Sequence, residues 1–140
     1  MSVELNGKCL CGACTISGIP EDGTMHVCHC DMCRAWSGVG MMAITMKSEG
    51  LRIEGPVKKS ATSDWAERAW CDDCGSSLYY HVTAEGPYHD AYHVASGLFP
   101  NAGGVKLTGE LFSDKRPSGY AFAGDLKSMT EAETLAFFGV

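Results

Sequence analysis

The sequence predicts a mainly β fold in which short strands form antiparallel sheets in a sandwich-like arrangement, with two short helices. Apolar runs are short, glycine and proline recur between them, and helical signals are confined to two segments. The chain has 140 residues, of which 45% are hydrophobic and 20% are charged. This size and composition are typical of one domain with its own core, so we expect a single domain over residues 1–140.

The strands are expected where β-branched and aromatic residues cluster between turn signals such as Gly55-Pro56. They are predicted at 14–17, 25–28, 40–46, 51–54, 57–61, 66–70, 77–82, 92–95 and 109–112, with a turn at 20–23. One helix is expected at 31–36. A second should begin at Thr130, because Thr130 and Glu133 form a capping-box pattern ahead of apolar residues.

Seven of the eight cysteines lie in three tight groups. No basic start followed by an apolar run marks a secretory signal, so we expect a cytoplasmic protein whose thiols stay reduced. Cysteines one or two residues apart in such a protein favour metal ligation over disulfides. The groups are Cys9 with Cys11, Cys28 with Cys30 and Cys33, and Cys71 with Cys74.

Two of these groups together supply four thiolates, the number that a structural zinc site takes. We therefore predict a structural zinc bound by Cys9, Cys11, Cys71 and Cys74. One metal would join segments about 60 residues apart and remove several kcal/mol of unfolded-state entropy. A glycine follows each pair, Gly12 and Gly75, and permits the tight turn that such ligands need.

The third group leaves one coordination position open. Three protein ligands plus water or substrate is the arrangement of catalytic zinc, so Cys28, Cys30 and Cys33 are the candidate catalytic residues and a second zinc site. A thiol substrate would suit such a site because zinc binds it as the nucleophilic thiolate. Cys14 leaves two alternatives: it is either a buried core thiol or the fourth ligand of a closed site.

The remaining polar residues and the net charge limit the partners. We expect His29 to support the ligands from outside the metal coordination or to be exposed, and Arg34 or His29 to orient substrate. The net charge is −6, and the basic pairs Lys58-Lys59 and Lys115-Arg116 are short, which argues against nucleic-acid binding. No apolar run is long enough to span a membrane. The oligomeric state is not predicted.

With these groups in place, the chain resembles the family of glutathione-dependent formaldehyde-activating enzymes, which includes relatives such as centromere protein V. The resemblance covers nearly the whole chain. It is carried by the stretches Gly7-Lys8-Cys9-Leu10-Cys11-Gly12-Ala13, Cys28-His29-Cys30-Asp31-Met32-Cys33-Arg34-Ala35-Trp36-Ser37-Gly38, Trp70-Cys71-Asp72-Asp73-Cys74-Gly75 and Ser96-Gly97-Leu98-Phe99-Pro100.

The resemblance implies a β-tent fold of the Mss4-like type. It also implies that Cys9, Cys11, Cys71 and Cys74 hold a structural zinc, and that glutathione meets formaldehyde at Cys28, Cys30 and Cys33. The leading hypothesis is thus a zinc-dependent carbon–sulfur lyase that adds a thiol to a small carbonyl, or eliminates it. The alternative is a non-catalytic zinc module for protein interaction, with two closed four-cysteine sites.

Overall fold

The computed structural model describes residues 3–139, and its backbone is mainly strand. The strands are β1 (Leu5–Lys8), β2 (Thr15–Gly18), β3 (Pro20–Cys28), β4 (Met41–Met46), β5 (Arg52–Glu54), β6 (Val57–Ala61), β7 (Ala66–Cys71), β8 (Ser77–Val82), β9 (Tyr92–Ala95), β10 (Lys106–Leu111) and β11 (Lys127–Met129). The α-helices are α1 (Asp31–Ser37) and α2 (Glu131–Phe138), and short 3-10 helices lie at Ser96–Leu98, Pro100–Gly104 and Ser113–Lys115. The predicted mainly β class is confirmed.

The strands form two sheets. A small sheet has the order β1-β2-β5, and a large one has the order β11-β10-β3-β4-β9-β8-β7-β6. Neighbours are antiparallel except at one end of the large sheet, where β10 runs parallel to both β3 and β11. The predicted antiparallel arrangement holds elsewhere, and this end is where the sheet is mixed. Parallel strands need a long crossover connection, and the chain passes through most of the large sheet between β3 and β10.

The main core lies between the two sheets. Ile16 of the small sheet packs with Ile44, Leu78 and Val94 of the large one, and each is at most 1% exposed. The opposite face of the large sheet carries a second, smaller cluster around Cys33, Met41 and Ala43. Strand β4 is therefore buried on both faces, as expected for a central strand whose alternate residues point to opposite sides.

Several element boundaries differ from the prediction. Strands β1 and β11 have no apolar alternation and were not predicted; each is an edge strand held by pairing with a neighbour. The turn expected at 20–23 is instead part of β3, where Pro20 pairs with Met46 and the register shifts before Met25. Within that irregular stretch Asp22 accepts hydrogen bonds from the Thr24 backbone and hydroxyl.

Both predicted helices are present and both are capped by their own sequence. Helix α1 begins after Cys30, whose sulfur accepts a hydrogen bond from the Cys33 N–H, and ends at Gly38 with a φ of 85°. Helix α2 has the predicted capping box between Thr130 and Glu133. Across residues 3–139, no helix is both long and apolar enough to cross a membrane.

Candidate functional site

The first cysteine cluster joins the small sheet to the turn between β7 and β8. The sulfur atoms of Cys9, Cys11, Cys71 and Cys74 all lie within 4.8 Å of one another. The Sγ atoms of Cys9 and Cys11 are 3.6 Å apart, and those of Cys11 and Cys71 are 3.8 Å apart. Tetrahedral zinc with Zn–S bonds of about 2.3 Å requires sulfur–sulfur edges of about 3.8 Å, so the four sulfurs fit a metal ion.

Local backbone geometry turns both cysteine pairs toward this centre. Gly12 has a φ of 82° and Gly75 a φ of 79°, values that favour glycine. Each glycine N–H closes a tight turn onto the carbonyl of the first cysteine of its pair, Cys9 or Cys71. The turns therefore depend on the glycines that follow the cysteines in the sequence.

Cys14 lies beside this first cluster rather than at the second. It is fully buried in the main core, and its backbone N–H donates a hydrogen bond to Cys9 Sγ at 3.3 Å. Burial and the neighbouring thiols raise the pKa of Cys14 to about 12. Among the residues that the structure describes, the second cluster contains three cysteines and no fourth cysteine, histidine or carboxylate. Cys14 therefore does not close the second site.

The second cluster lies where β3 ends and α1 begins. The sulfur atoms of Cys28, Cys30 and Cys33 lie within 4.8 Å of one another and could hold a metal ion. Hydrogen bonds from the neighbouring thiols of Cys28 and Cys33 hold the pKa of Cys30 well below its usual value, with the nearby Arg68 charge helping. The same sharing of one negative charge raises the pKa of Cys28.

A buried arginine on strand β7 contacts this cluster. Arg68 is 2% exposed, and its Nη2 donates to Cys33 Sγ at 3.3 Å. Its guanidinium carbon lies 4.8 Å from the Tyr80 ring centre and 5.6 Å from that of Trp36, and its Nη1 donates to Thr62 Oγ1 at 2.6 Å. The Nε atom is buried with no hydrogen-bond partner. The sequence prediction missed Arg68; the available signal was a cation two residues after Ala66, and so on the same face of a strand as an apolar residue.

His29 is fully buried, not exposed, and supports the second cluster from behind. Its Nε2 lies 3.0 Å from Glu110 Oε1, and its backbone N–H donates to the Leu111 carbonyl. Glu110 also accepts from Arg116 and Ser128, and despite burial these hydrogen bonds keep its pKa below its usual value. The prediction missed Glu110, which parallel pairing of β10 with β3 brings to this position.

Arg34, the other residue predicted to orient substrate, makes its polar contacts with residues close to it in the chain. Arg34 Nε donates to the His29 carbonyl at 3.0 Å, and its Nη2 forms an ion pair with Asp31. Both partners lie at or just before the first residue of α1. Arg34 therefore stabilises the segment that carries Cys30 and Cys33.

The second cluster opens onto a cavity of about 790 Å³, whereas the first does not line it. Cys28, Cys30 and Cys33 form part of its wall, together with Arg68 and Tyr80. Burial raises the pKa of Tyr80 to about 12, and the Trp65 indole N–H donates to its hydroxyl at 2.8 Å. The site combines three convergent sulfurs, a buried cation and room for a substrate, features typical of an active site.

Comparison with known proteins gives the same family as the cysteine motifs. The family described as glutathione-dependent formaldehyde-activating enzyme matches residues 4–115. The chain belongs to this family. A family relative from Schizosaccharomyces pombe, named as an uncharacterized lyase, is 31% identical over 133 residues, which are 94% of this chain and 95% of the relative.

Proposed function

We propose that the protein is a zinc-dependent carbon–sulfur lyase that adds a thiol of the glutathione type to a small carbonyl such as formaldehyde, or reverses that addition. The observation that carries this proposal is the convergence of Cys28, Cys30 and Cys33 at the wall of a large cavity beside a buried arginine. Family membership and the lyase name of the relative support the same reaction class.

The two cysteine clusters would have different roles. Cys9, Cys11, Cys71 and Cys74 would hold a structural zinc, because four sulfurs complete a tetrahedral site. Cys28, Cys30 and Cys33 would hold a second zinc with one position left for substrate. Bound there, zinc would take up the thiol as its thiolate and so supply a nucleophile at neutral pH.

The reaction itself is an addition without redox change. The thiolate sulfur forms a bond to the carbonyl carbon, the carbon–oxygen π bond breaks, and the oxygen takes up a proton. Arg68 would stabilise negative charge beside Cys33, because its cation is desolvated and already directed at that sulfur. His29 and Glu110 would hold the segment between Cys28 and Cys30 in place.

The proposed partners follow from the same chemistry. They are a small thiol and a small carbonyl, in the cytoplasm, where the cysteines stay reduced. The acidic charge of −6 argues against a nucleic-acid partner.

Exchange NMR of a glutathione–formaldehyde mixture tests the proposal. The zinc-loaded protein should accelerate exchange between free formaldehyde and the S-hydroxymethyl adduct, and Cys33→Ser should return the rate to nearly the uncatalysed value. Cys14→Ala is the matched control, since this thiol lies in the core outside the cavity. It should keep both the rate and two equivalents of zinc. An unchanged exchange rate with the fully zinc-loaded wild type would disprove the synthase reaction.

A further inference from the structure

Many of the residues that line the cavity with the cysteines are apolar. One group of them, here called the apolar arm, consists of Trp65, Val82, Tyr88, Leu135, Phe137 and Phe138. A volume of about 790 Å³ is in the range that accommodates drug-sized ligands, far larger than a one-carbon aldehyde needs. The cavity therefore has room for a substrate group besides the reacting carbon.

Three aromatic residues of the arm lie outside the protein core. Tyr88, Phe137 and Phe138 pack on one another with ring centres 4.9–5.9 Å apart, yet they belong to neither buried core cluster. Phe137 is 55% exposed. Exposed apolar surface of this kind, lining a cavity, is typical of a site for an apolar ligand group.

The arm is continuous with the reacting centre. Trp65 lines the arm, and its indole N–H, its one polar atom, is bonded to the Tyr80 hydroxyl. Tyr80 in turn stacks beside Arg68, which donates to Cys33. A substrate whose reacting carbon lies at the cysteines can therefore extend its substituent into the arm.

The charges at the cavity wall disfavour an anionic substituent. The carboxylates of Asp31, Glu85 and Glu131 line it. Lys115 is held by Asp31 at 3.3 Å and Glu131 at 3.9 Å. Arg68, the other cation of the wall, lies beside Cys33 and is not one of the arm residues. A carboxylate entering the arm would thus meet net negative charge.

We infer that the apolar arm binds an uncharged aryl or long alkyl substituent of the carbonyl substrate, so that the preferred aldehyde is larger and more apolar than formaldehyde. This inference rests on the proposed function for its chemistry but makes a binding prediction of its own. The thiolate sulfur bonds to the carbonyl carbon as in the proposed reaction. The substituent of the aldehyde contributes binding energy through its contacts with the arm.

A binding experiment tests the arm without catalysis. We expect 3-phenylpropan-1-ol to bind the zinc-loaded protein at least tenfold more tightly than 4-(3-hydroxypropyl)benzoate, which is the same molecule with a carboxylate on its ring. Calorimetry measures both affinities. Phe138→Ala should weaken binding of the alcohol about tenfold, whereas Phe138→Leu should keep most of it. Equal affinity for the two probes, or no binding of the alcohol to the folded protein, would overturn the inference.

Reversing one charge at the cavity wall distinguishes the effect of charge from that of apolar contact. Glu85→Lys should tighten binding of 4-(3-hydroxypropyl)benzoate severalfold and leave 3-phenylpropan-1-ol unchanged, because Glu85 is exposed at the cavity wall. If the benzoate gains nothing from this charge reversal, the electrostatic part of the inference is wrong. Thermal unfolding of each variant establishes that the fold is kept.

Exchange rates distinguish this inference from the proposed function. With the same thiol in both mixtures, the protein should accelerate exchange of 3-phenylpropanal over its uncatalysed rate at least tenfold more than it accelerates exchange of formaldehyde. Acceleration of formaldehyde alone would refute the inference and leave the proposed function standing. Probe binding without acceleration of either aldehyde would refute the proposed function and leave the apolar arm as a binding site.

Discussion

At the scale of single residues, Arg68 is both buried and charged, and it contacts Cys33 of the second cluster. A buried guanidinium is costly unless it is paired, and here it gains a sulfur acceptor, a hydroxyl acceptor and two aromatic faces. Its Nε remains without a partner. Such an under-satisfied buried cation favours negative charge close to Cys33 and is therefore suited to a reaction that creates an anion.

Replacing Arg68 by lysine should reduce catalysis while preserving the charge. A flexible ammonium lacks the planar group that stacks beside Tyr80 and reaches Cys33, so we expect about a 100-fold lower exchange rate. The free energy of unfolding should fall by about 1–3 kcal/mol, measured with urea. Arg52→Lys, at a side chain 65% exposed, is the control. Equal rates for the two variants would contradict the role of Arg68.

His93 should make the protein less stable in acid. Burial, with smaller effects from His26 and His81, lowers the pKa of His93 from 6.5 to about 3. Below pH 6.5 the unfolded chain therefore binds a proton that the folded protein refuses, and stability falls as the pH falls toward 3. Between pH 6.5 and 5 the free energy of unfolding should drop by about 1.5 kcal/mol in total more in the wild type than in His93→Gln.

Urea unfolding at several pH values measures this difference, and His89→Gln is the control because His89 is exposed. Its slope with pH should equal that of the wild type. A His93→Gln slope identical to wild type would show that His93 is protonated in the folded state.

At the scale of elements, local patterns predicted most strands and both helices, whereas partners remote in sequence decided the rest. The capping box at Thr130 is a local signal and located α2 correctly. Strand β11 has no such signal, because Lys127 and Ser128 are exposed and its pairing with β10 alone makes it a strand. Glu110 was likewise missed because its contact with His29 spans 81 residues.

The cap of α2 should control the mobility of the cavity wall. Thr130 Oγ1 accepts from the Glu133 N–H at 3.2 Å, and Glu133 Oε1 accepts from the Thr130 N–H at 2.9 Å. Thr130→Ala should cost about 1 kcal/mol, which speeds hydrogen exchange across residues 131–138 about fivefold. Thr130→Ser keeps the hydroxyl and should exchange like the wild type. Unchanged exchange in the alanine variant would mean that packing, not the cap, holds α2.

At the scale of the whole molecule, the two cysteine clusters lie in different surroundings. The first brings the small sheet and the β7–β8 turn together, and the second lines the cavity. Sequence spacing was sufficient to sort seven cysteines into the two groups. It could not locate Cys14, because Cys11 and Cys14 also have a metal-compatible spacing and only the fold places Cys14 in the core.

Loss of the first cluster should destabilise the whole fold. Cys11 and Cys71 are 60 residues apart, and closing a loop of that length removes about 4 kcal/mol of unfolded-state entropy. We expect Cys11→Ser to lower the unfolding free energy by an amount approaching this value, and Cys33→Ser to lower it much less. Thermal unfolding with and without a chelator measures both. Matching midpoints for wild type and Cys11→Ser would argue against a structural metal there.

The family match ends at residue 115, whereas α2, which supplies Leu135, Phe137 and Phe138 to the cavity wall, begins at Glu131. The cysteines and Arg68 all lie inside the matched segment. Mutations in the last quarter of the chain can therefore reshape what the cavity accepts while the sulfur chemistry is left intact. Part of the cavity wall and the sulfurs beside it are thus encoded in separate stretches of the chain.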